Sequence, residues 1–422
     1  MSRGPLPRFR LYTDPGLWAG AARSLLLGAS LRGDAVARLE LALAREQGLP
    51  HALAMPRARA GIYWALRGLI QPGQKVVLSP YTIHEVVNMV ICAGGEPVFA
   101  DIERATCNLD PRRALERLDD GDVGAVLVTH LHGLAMELGE LAPACRARGI
   151  ALVEDCAQAF GSLAPDGRPV GAAGDAGILS FGSYKNLTSF TGGALLTPRA
   201  ELAEWVAKEQ AALPPQPLGP WLREARLALA TDLATWPPLF AALTFPLFRL
   251  GYLREIELLN KRVRVEDDPQ LRREFPELYA CRMRPLQAEL LLRRIARVRA
   301  DLRARVAFAQ RYHEGLRDLP ELRLAPLRGD GTHGYSYFPI QFEERHALIR
   351  HLMLRRCDLA AQHLKNCADL DCFAPWRREC PQARATARAL ILLPTYPRYS
   401  LRDVDRNIAA IREFLGRGRT PA

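Results

Sequence analysis

The chain lacks several features that would classify it at once. Its nine cysteines (92, 107, 145, 156, 281, 357, 367, 372 and 380) are scattered and contain no CxxC pair. Cys367, Cys372 and Cys380 fall near His363, but their spacing fits no structural zinc pattern, so no metal is expected. The first ten residues, MSRGPLPRFR, have no apolar core, which argues against a signal peptide. Scattered thiols without a leader fit a reducing cytoplasm. There is no Lys/Arg block and no interleaving of aromatic and basic residues. The net charge of +11 comes from 57 basic against 46 acidic residues, spread along the chain and mostly arginine. This argues against nucleic acid and leaves an anionic small substrate or a membrane surface as the partner of that charge. No internal repeat is visible. A spanning helix needs about 20 clean apolar residues. The most apolar stretch, LATWPPLFAALTFPLFRLGYL (233–253), is broken by Pro237, Pro238, Pro246 and Arg249.

What is present is an ordinary folded chain. Its 422 residues are too many for one simple core, and suggest about two domains of roughly 100–200 residues each. Hydrophobic content of 49% against 24% charged excludes disorder throughout. DAVARLELALAREQ (34–47) carries Val36, Leu39, Leu41 and Leu43 at helical spacing, and ARAGIYWALRGLI (58–70) repeats the pattern. Between and after them come short apolar strands: one between the turns of PGQKVVLSP, then EPVFADI, VGAVLVTH (123–130) and IALVEDC. YTIHEVVNMVICAGG is a helix closed by Gly94 and Gly95. Helices alternating with wholly apolar strands predict a parallel sheet covered on both faces. After about residue 200 the texture changes to a Pro-, Leu- and Trp-rich region. An Arg-rich helix pair follows at 283–318, with an apolar stripe of Leu286, Leu290, Ile295, Val298 and Leu302. The remainder reads as a smaller α/β unit: YSYFPIQF as a strand, RHALIRHLML as a helix and LRDVDRNIAAIREFL as the closing helix.

The segment VEDCAQAFGS (153–162) raises the chemical question. Glu154 and Asp155 stand where a buried strand should end. In parallel sheets ligands sit beyond the carboxyl ends of the strands. A carboxylate there is either a solvated cap or a group aimed at a positive ligand. Downstream, GDAGILSFGSYKNLTSFTGGALLT (174–197) runs a second strand into Lys185, in a small-residue turn flanked by aromatics. Poor hydration there lowers a lysine's pKa and makes its amine nucleophilic. A desolvated lysine and a carboxylate at neighbouring strand tips are two groups that pyridoxal phosphate needs. The lysine forms the Schiff base, and the carboxylate keeps the pyridine nitrogen protonated. The third need, an anion cradle, is offered by the helix start near residue 59, with Arg57 and Arg59 adjacent and Ser180 able to add a hydroxyl.

These motifs resemble the DegT/DnrJ/EryC1/StrS family of pyridoxal-phosphate sugar aminotransferases. The likeness runs from about residue 17 to the C-terminus, apart from 205–278. It rests on VEDCAQAFGS followed by GDAGILSFGSYKNLTSFTGGALLT, on LSPYTIHEVVNMVICAGGEPVFADI, and on RMRPLQAELLL with LILLPTYPRYSLRDVDRNIAAI. The resemblance implies the type I aminotransferase fold: a large, mostly parallel α/β/α sheet domain, here 1–270, and a smaller C-terminal α/β domain, 271–422. Lys185 would carry the cofactor and Asp155 would pair with the pyridinium. Gln158 would contact the ring's hydroxyl side, Ala157 would pack on a ring face and Ser180 would hold phosphate. Relatives with His at the lysine position act as dehydratases, so Lys185 speaks for amino transfer. The resemblance also implies a homodimer, L-glutamate as donor and a keto-sugar nucleotide as acceptor.

The sequence departs from that pattern at three places. The usual Ser-Gly-Thr phosphate loop reads Arg57-Ala58-Arg59, so Arg59 either replaces a hydroxyl by a charge-assisted contact or points outward while backbone amides bind phosphate. The ring-stacking aromatic is Ile83, and an Asn offered by the neighbouring subunit is Ala280. The 205–278 insertion is longer and more apolar than the pattern leads one to expect. Its 233–253 stretch reads as an interfacial membrane contact, a dimer contact or a lid. Arg282 and His333 are candidate substrate contacts. Three readings stand: a keto-sugar nucleotide aminotransferase; the same fold acting on a lipid-linked or other non-sugar carbonyl; and a non-catalytic regulatory protein that binds the cofactor.

Overall fold

The computed structural model describes residues 4–26, 33–254, 256, 268–328, 330 and 332–417. Part of the 205–278 insertion therefore lies outside the described residues. A seven-stranded sheet forms its largest layer, with strand order β1-β8-β7-β6-β5-β2-β4. The strands are β1 (His51–Met55), β2 (Lys75–Leu78), β4 (Glu96–Phe99), β5 (Val123–Thr129), β6 (Ala151–Asp155), β7 (Ala176–Ser180) and β8 (Gly193–Thr197). β3 (Tyr81–Thr82) stands outside it. The pairs from β4 through β7 are parallel, whereas β8 and β1 run antiparallel at one edge. The parallel strands are apolar on both faces because helices cover both. Val76, Leu78, Leu127 and Val153 face one cluster, while Val77, Val126, Val128 and Leu152 face another. Each such fully buried aliphatic contributes about 1.5–3 kcal/mol.

The connecting helices are α1 (Pro15–Leu26), α2 (Ala35–Gln47), α3 (Ala58–Leu69), α4 (His84–Cys92), α5 (Pro111–Arg117), α6 (Leu141–Ala147), α7 (Ala200–Ala211) and α8 (Leu218–Ala234). In α2 the buried residues are Leu39 and Leu43, whereas Leu41 points outward at 59% exposure. Positions 39 and 43 are one helical turn apart; 41 lies nearly opposite them. The Arg-rich helix pair is interrupted. It forms helices Pro285–Leu292 and Val298–Leu316, joined by a short turn that leaves Ile295 outside the fully buried set.

A second, four-stranded antiparallel sheet joins Arg323–Leu324, Phe338–Gln341, Ala360–Ala361 and Leu390–Leu393. The closing helix Leu401–Arg417 packs on Val298–Leu316. Two ties hold this unit against the large sheet beside the strand tips. Lys365–Asn366 pairs with β3. Residues 333–336 dock on the loop after β5 through Gly334 N to Gly133 O (2.7 Å) and Ser336 N to His132 O (2.8 Å).

The apolar 233–253 stretch is helical over Pro237–Leu239, Phe240–Thr244 and Phe245–Leu253. Phe240 and Phe245 are buried in the cluster that includes Phe338 and Tyr312. The outer side of the region shows Leu233, Trp236, Leu243, Leu247 and Leu250 to solvent. Among the described residues no helix is long and apolar enough to cross a membrane.

Candidate active site

One edge of the large sheet gathers the candidate residues. Register places Met55 opposite Gly193, Gly193 opposite Ser180, and Thr129 opposite Asp155. The carboxyl ends of β1, β5, β6 and β7 and the start of β8 therefore form one rim. From it project Asp155, Ser180 and the loops carrying His132 and Lys185.

The adjacent carboxylates of β6 have opposite fates, because neighbouring strand residues face opposite sides of the sheet. Glu154 is buried and fully partnered. It accepts from Gly171 N (3.0 Å), Ala173 N (2.8 Å), Gly174 N (2.8 Å) and His130 Nε2 (3.0 Å). Burial pushes its carboxyl up, but the His130 bond and the backbone amides outweigh that and hold it below the usual glutamate value. His130 Nδ1 accepts from Met136 N (2.9 Å), which assigns the remaining proton to Nε2, facing Glu154. Glu154, His130 and Cys156 lie close enough together to suggest a metal site. The full set of hydrogen bonds on Glu154 and His130 instead makes this pair a fastening for the 171–174 loop. Asp155 is also buried, and its carboxylate accepts from Ala157 N (3.0 Å). Burial raises its pKa; the Ala157 amide, Lys185 and His130 only partly offset this. It is a carboxylate in want of a cation.

Lys185 supplies one positive neighbour. Burial lowers its pKa, Asp155 opposes that, and Arg59 adds to it. Lys185, Asp155 and Arg59, on three separate elements, are thus within electrostatic reach of one another. Trp221 of α8 closes over the lysine loop, its indole donating to Ser189 O (3.0 Å) while its ring packs edge-on against Phe190. Tyr184, next to the lysine, has Thr231 of the same helix as a neighbour. The insertion that looked anomalous in sequence is a brace for the lysine loop.

The helix start at α3 has no side-chain cap at Arg57, so its first amides are not satisfied from within. Gly193 lets it approach the sheet: a Cβ there would lie 2.6 Å from Ala58 N and 2.7 Å from Leu179 O. Arg59 donates to Glu85 Oε2 (2.7 Å) and to Tyr279 Oη (2.8 Å). Arg57 faces Glu224 of α8 at 3.6 Å and lies over the Tyr279 ring. Glu85, Glu224 and Tyr279, which sequence reasoning did not single out, thus hold both arginines of the departed loop. Ile83 caps α4 beside the pairing of β3 with Lys365–Asn366. Gln158 Oε1 accepts from His132 N (3.0 Å).

The two candidate substrate contacts, Arg282 and His333, each make a bond within the chain. Arg282 is exposed and donates through Nε to Leu213 O (2.9 Å), fastening the segment before α8. His333 is buried, and its Nδ1 accepts from Ala135 N (3.2 Å). Burial lowers it to about 4, so it is neutral at pH 7.

The donor set fits pyridoxal phosphate: an amine with a depressed pKa, a buried carboxylate short of cations, and uncapped helix amides above a glycine that admits no side chain. Lys185 would hold the aldehyde, Asp155 the ring nitrogen and the start of α3 the phosphate; the bound cofactor supplies an electron sink.

Comparison with known proteins agrees. Over 399 residues the chain is 26% identical to spore coat polysaccharide biosynthesis protein SpsC of Bacillus subtilis, covering 91% of this chain and 90% of that one. It is 30% identical over 169 residues to GDP-perosamine synthase of Vibrio cholerae, 40% of this chain and 46% of that one. The fold matches the crystal structure of aminotransferase TlmJ from Streptoalloteichus hindustanus with a TM-score of 0.75 at 24% identity, over 98% of this chain and 100% of that one. The DegT/DnrJ/EryC1/StrS aminotransferase family model matches residues 21–211 and 258–412, more than half of the sequence. The chain belongs to that family of pyridoxal-phosphate-dependent aminotransferases.

Proposed function

We propose that the chain moves an amino group from L-glutamate to the ketone of a nucleoside-diphosphate keto-sugar. The observation that carries the chemistry is the convergence of a half-buried Lys185, in the turn after one strand, and a buried Asp155, at the tip of another, into one electrostatic pair. Asp155 would hold a proton on the ring nitrogen. Lys185, neutral for a larger share of the time than a surface lysine, would take the proton from the donor carbon and return it in the 1,3-shift that amino transfer requires. Gln158, Ala157, Ser180, Ala58, Arg59 and Ile83 would orient the cofactor around that axis. Support for the acceptor class comes from relatives: one is named a GDP-perosamine synthase and another a polysaccharide biosynthesis protein. The net charge of +11 suits an anionic nucleotide.

The same proposal includes a cytoplasmic homodimer, with a division into 1–270 and 271–422. Nine free cysteines, seven of them buried, support a reducing compartment. The test is a panel of keto-sugar nucleotides with L-glutamate, read by mass spectrometry for the aminated product. Amination of at least one member is expected. Turnover of non-sugar carbonyls alone would refute the acceptor class.

One observation favours a second reading, a lipid-linked acceptor met at a membrane surface. From Leu227 to Leu250 every exposed residue is apolar: Leu227, Leu229, Ala230, Leu233, Trp236, Pro238, Ala242, Leu243, Pro246, Leu247 and Leu250. The nearest exposed charges beyond its two ends are Arg226 and Arg254. An apolar face flanked by cations suits a bilayer containing anionic lipid. Co-sedimentation with phosphatidylglycerol vesicles, lost in a Leu243→Glu/Leu247→Glu variant, is the expected result. No sedimentation, with the patch instead covered in a dimer, would refute it.

A further inference from the structure

The loop after β5 carries a histidine that the proposed mechanism does not use. His132 is completely buried, and both its ring nitrogens lack a hydrogen-bond partner. Its backbone is the reverse, satisfied on every side. His132 N donates to Gln158 Oε1 (3.0 Å), and His132 O accepts from Ser336 N (2.8 Å). The following Gly133 O accepts from Gly334 N (2.7 Å) and Ser162 Oγ (3.0 Å). These bonds hold His132 at φ +57°, a left-handed conformation that residues other than glycine rarely adopt. A residue held in strain by a fully bonded backbone, with an unbonded polar ring, is a common mark of a ligand site.

The surroundings say which ligand. On one side His132 N bonds Gln158, which directly follows Ala157, whose amide donates to Asp155. On the other side its electrostatic neighbour is His363, exposed on the loop just before the Lys365–Asn366 strand that pairs with β3. Ser336, bonded to the His132 carbonyl, has a hydroxyl that is likewise buried without a partner. His132 thus lies at the junction of the two sheets. Burial first, and His363 second, lower its pKa to about 3, so the ring is neutral. A neutral imidazole offers one donor and one acceptor. That pair matches a hydroxyl group. It does not match a phosphate, which would call for a cation.

We propose that His132, with Ser336, forms an acceptor subsite that reads a hydroxyl on the carbon beside the ketone, making it a specificity residue. This rests on the keto-sugar reading above. It assigns to this chain a preference between hydroxylated acceptors and their deoxy counterparts.

The test compares wild type with His132→Phe, which keeps ring volume and removes both polar atoms. Probes are a nucleoside-diphosphate keto-hexose and its analogue lacking the adjacent hydroxyl. The variant should keep its melting temperature or gain slightly, since no unpaired polar atom is left buried. Bleaching of the bound cofactor's visible band by L-glutamate should stay within about twofold of wild type. Activity as kcat/KM with the hydroxylated probe should fall by about 10- to 100-fold, and with the deoxy probe by less than about threefold. Direct titration of a nucleoside-diphosphate hexose into the protein without turnover should show a similar loss of affinity. Ser336→Ala, which leaves the strained backbone untouched, should show the same discrimination more weakly. Equal handling of both probes by wild type and variants would mean that the ring meets only trapped water, and would overturn the assignment. A parallel fall in the glutamate half-reaction would also overturn it, by making the role structural. The glutamate step in wild type tests the parent reading by itself, and the affinity measurement does not depend on it.

Discussion

Substituting Glu154 by Gln changes one atom and should open a loop. In wild type one carboxylate oxygen serves Ala173 N and Gly174 N, and the other serves Gly171 N and His130 Nε2. An amide keeps only one acceptor oxygen. If it takes the shorter pair, its NH₂ faces two buried donors. His130 cannot switch tautomer to help, because its Nδ1 already accepts from Met136 N. Each buried donor left without an acceptor costs about 1–3 kcal/mol, so a total of about 2–6 kcal/mol is expected for the two. At about 1.4 kcal/mol per decade, that is roughly a 30- to 20,000-fold rise in opening of the 171–174 loop. Amide hydrogen exchange at Gly171, Ala173 and Gly174 reads it directly. The acid response supplies the sign. Glu154 has a depressed folded pKa, so its contribution is present above the ordinary glutamate value of 4.5 and is lost as pH falls through the folded value. Wild type should show that acid step, and the variant should not. Exchange within about threefold of wild type, or an unchanged acid step, would refute the fastening role.

Two further outcomes follow from the same rim. Asp155→Asn should leave the fold intact, since a raised pKa marks a carboxylate that costs stability when charged; it should nevertheless lower turnover by at least about 100-fold, checked by steady-state kinetics beside circular dichroism. Gly193→Ala should push α3 off the sheet, because its Cβ would sit 2.6 Å from Ala58 N; cofactor affinity, measured by fluorescence titration, should drop at least about tenfold.

Much of this site was legible because strand tips are places where sequence and geometry coincide. An apolar run that ends in Asp155, and another that leads to Lys185, announce a rim without any contact information. A third tip carries the same kind of signal. Thr129-His130-Leu131-His132-Gly133 also follows a buried strand, and a histidine before a glycine at a turn was signal enough to single out His132. Other features could not be read locally. The difference between Glu154 and Asp155 depends on the 171–174 loop folding back. The holding of Arg57 and Arg59 depends on Glu85, Glu224 and Tyr279, as far as 222 positions away (Tyr279 from Arg57). The covered side of the apolar insertion was not legible because composition does not tell which side of a helix is covered: Trp221 and Phe240 are interior, while Trp236 and Leu247 are not. The antiparallel edge of β8 and β1 escaped notice because short apolar strands look alike in either direction.

The central claim is that Lys185 and Asp155 form the working pair of an aminotransferase. The most direct measurement is the visible absorption of the purified protein with pyridoxal phosphate, before and after L-glutamate, with Lys185→Ala alongside. The account predicts a yellow protein that bleaches with glutamate, and a variant that lacks the lysine-linked band while remaining folded. A protein that stays colourless with added cofactor, or a Lys185→Ala variant whose band and bleaching match wild type, would contradict it.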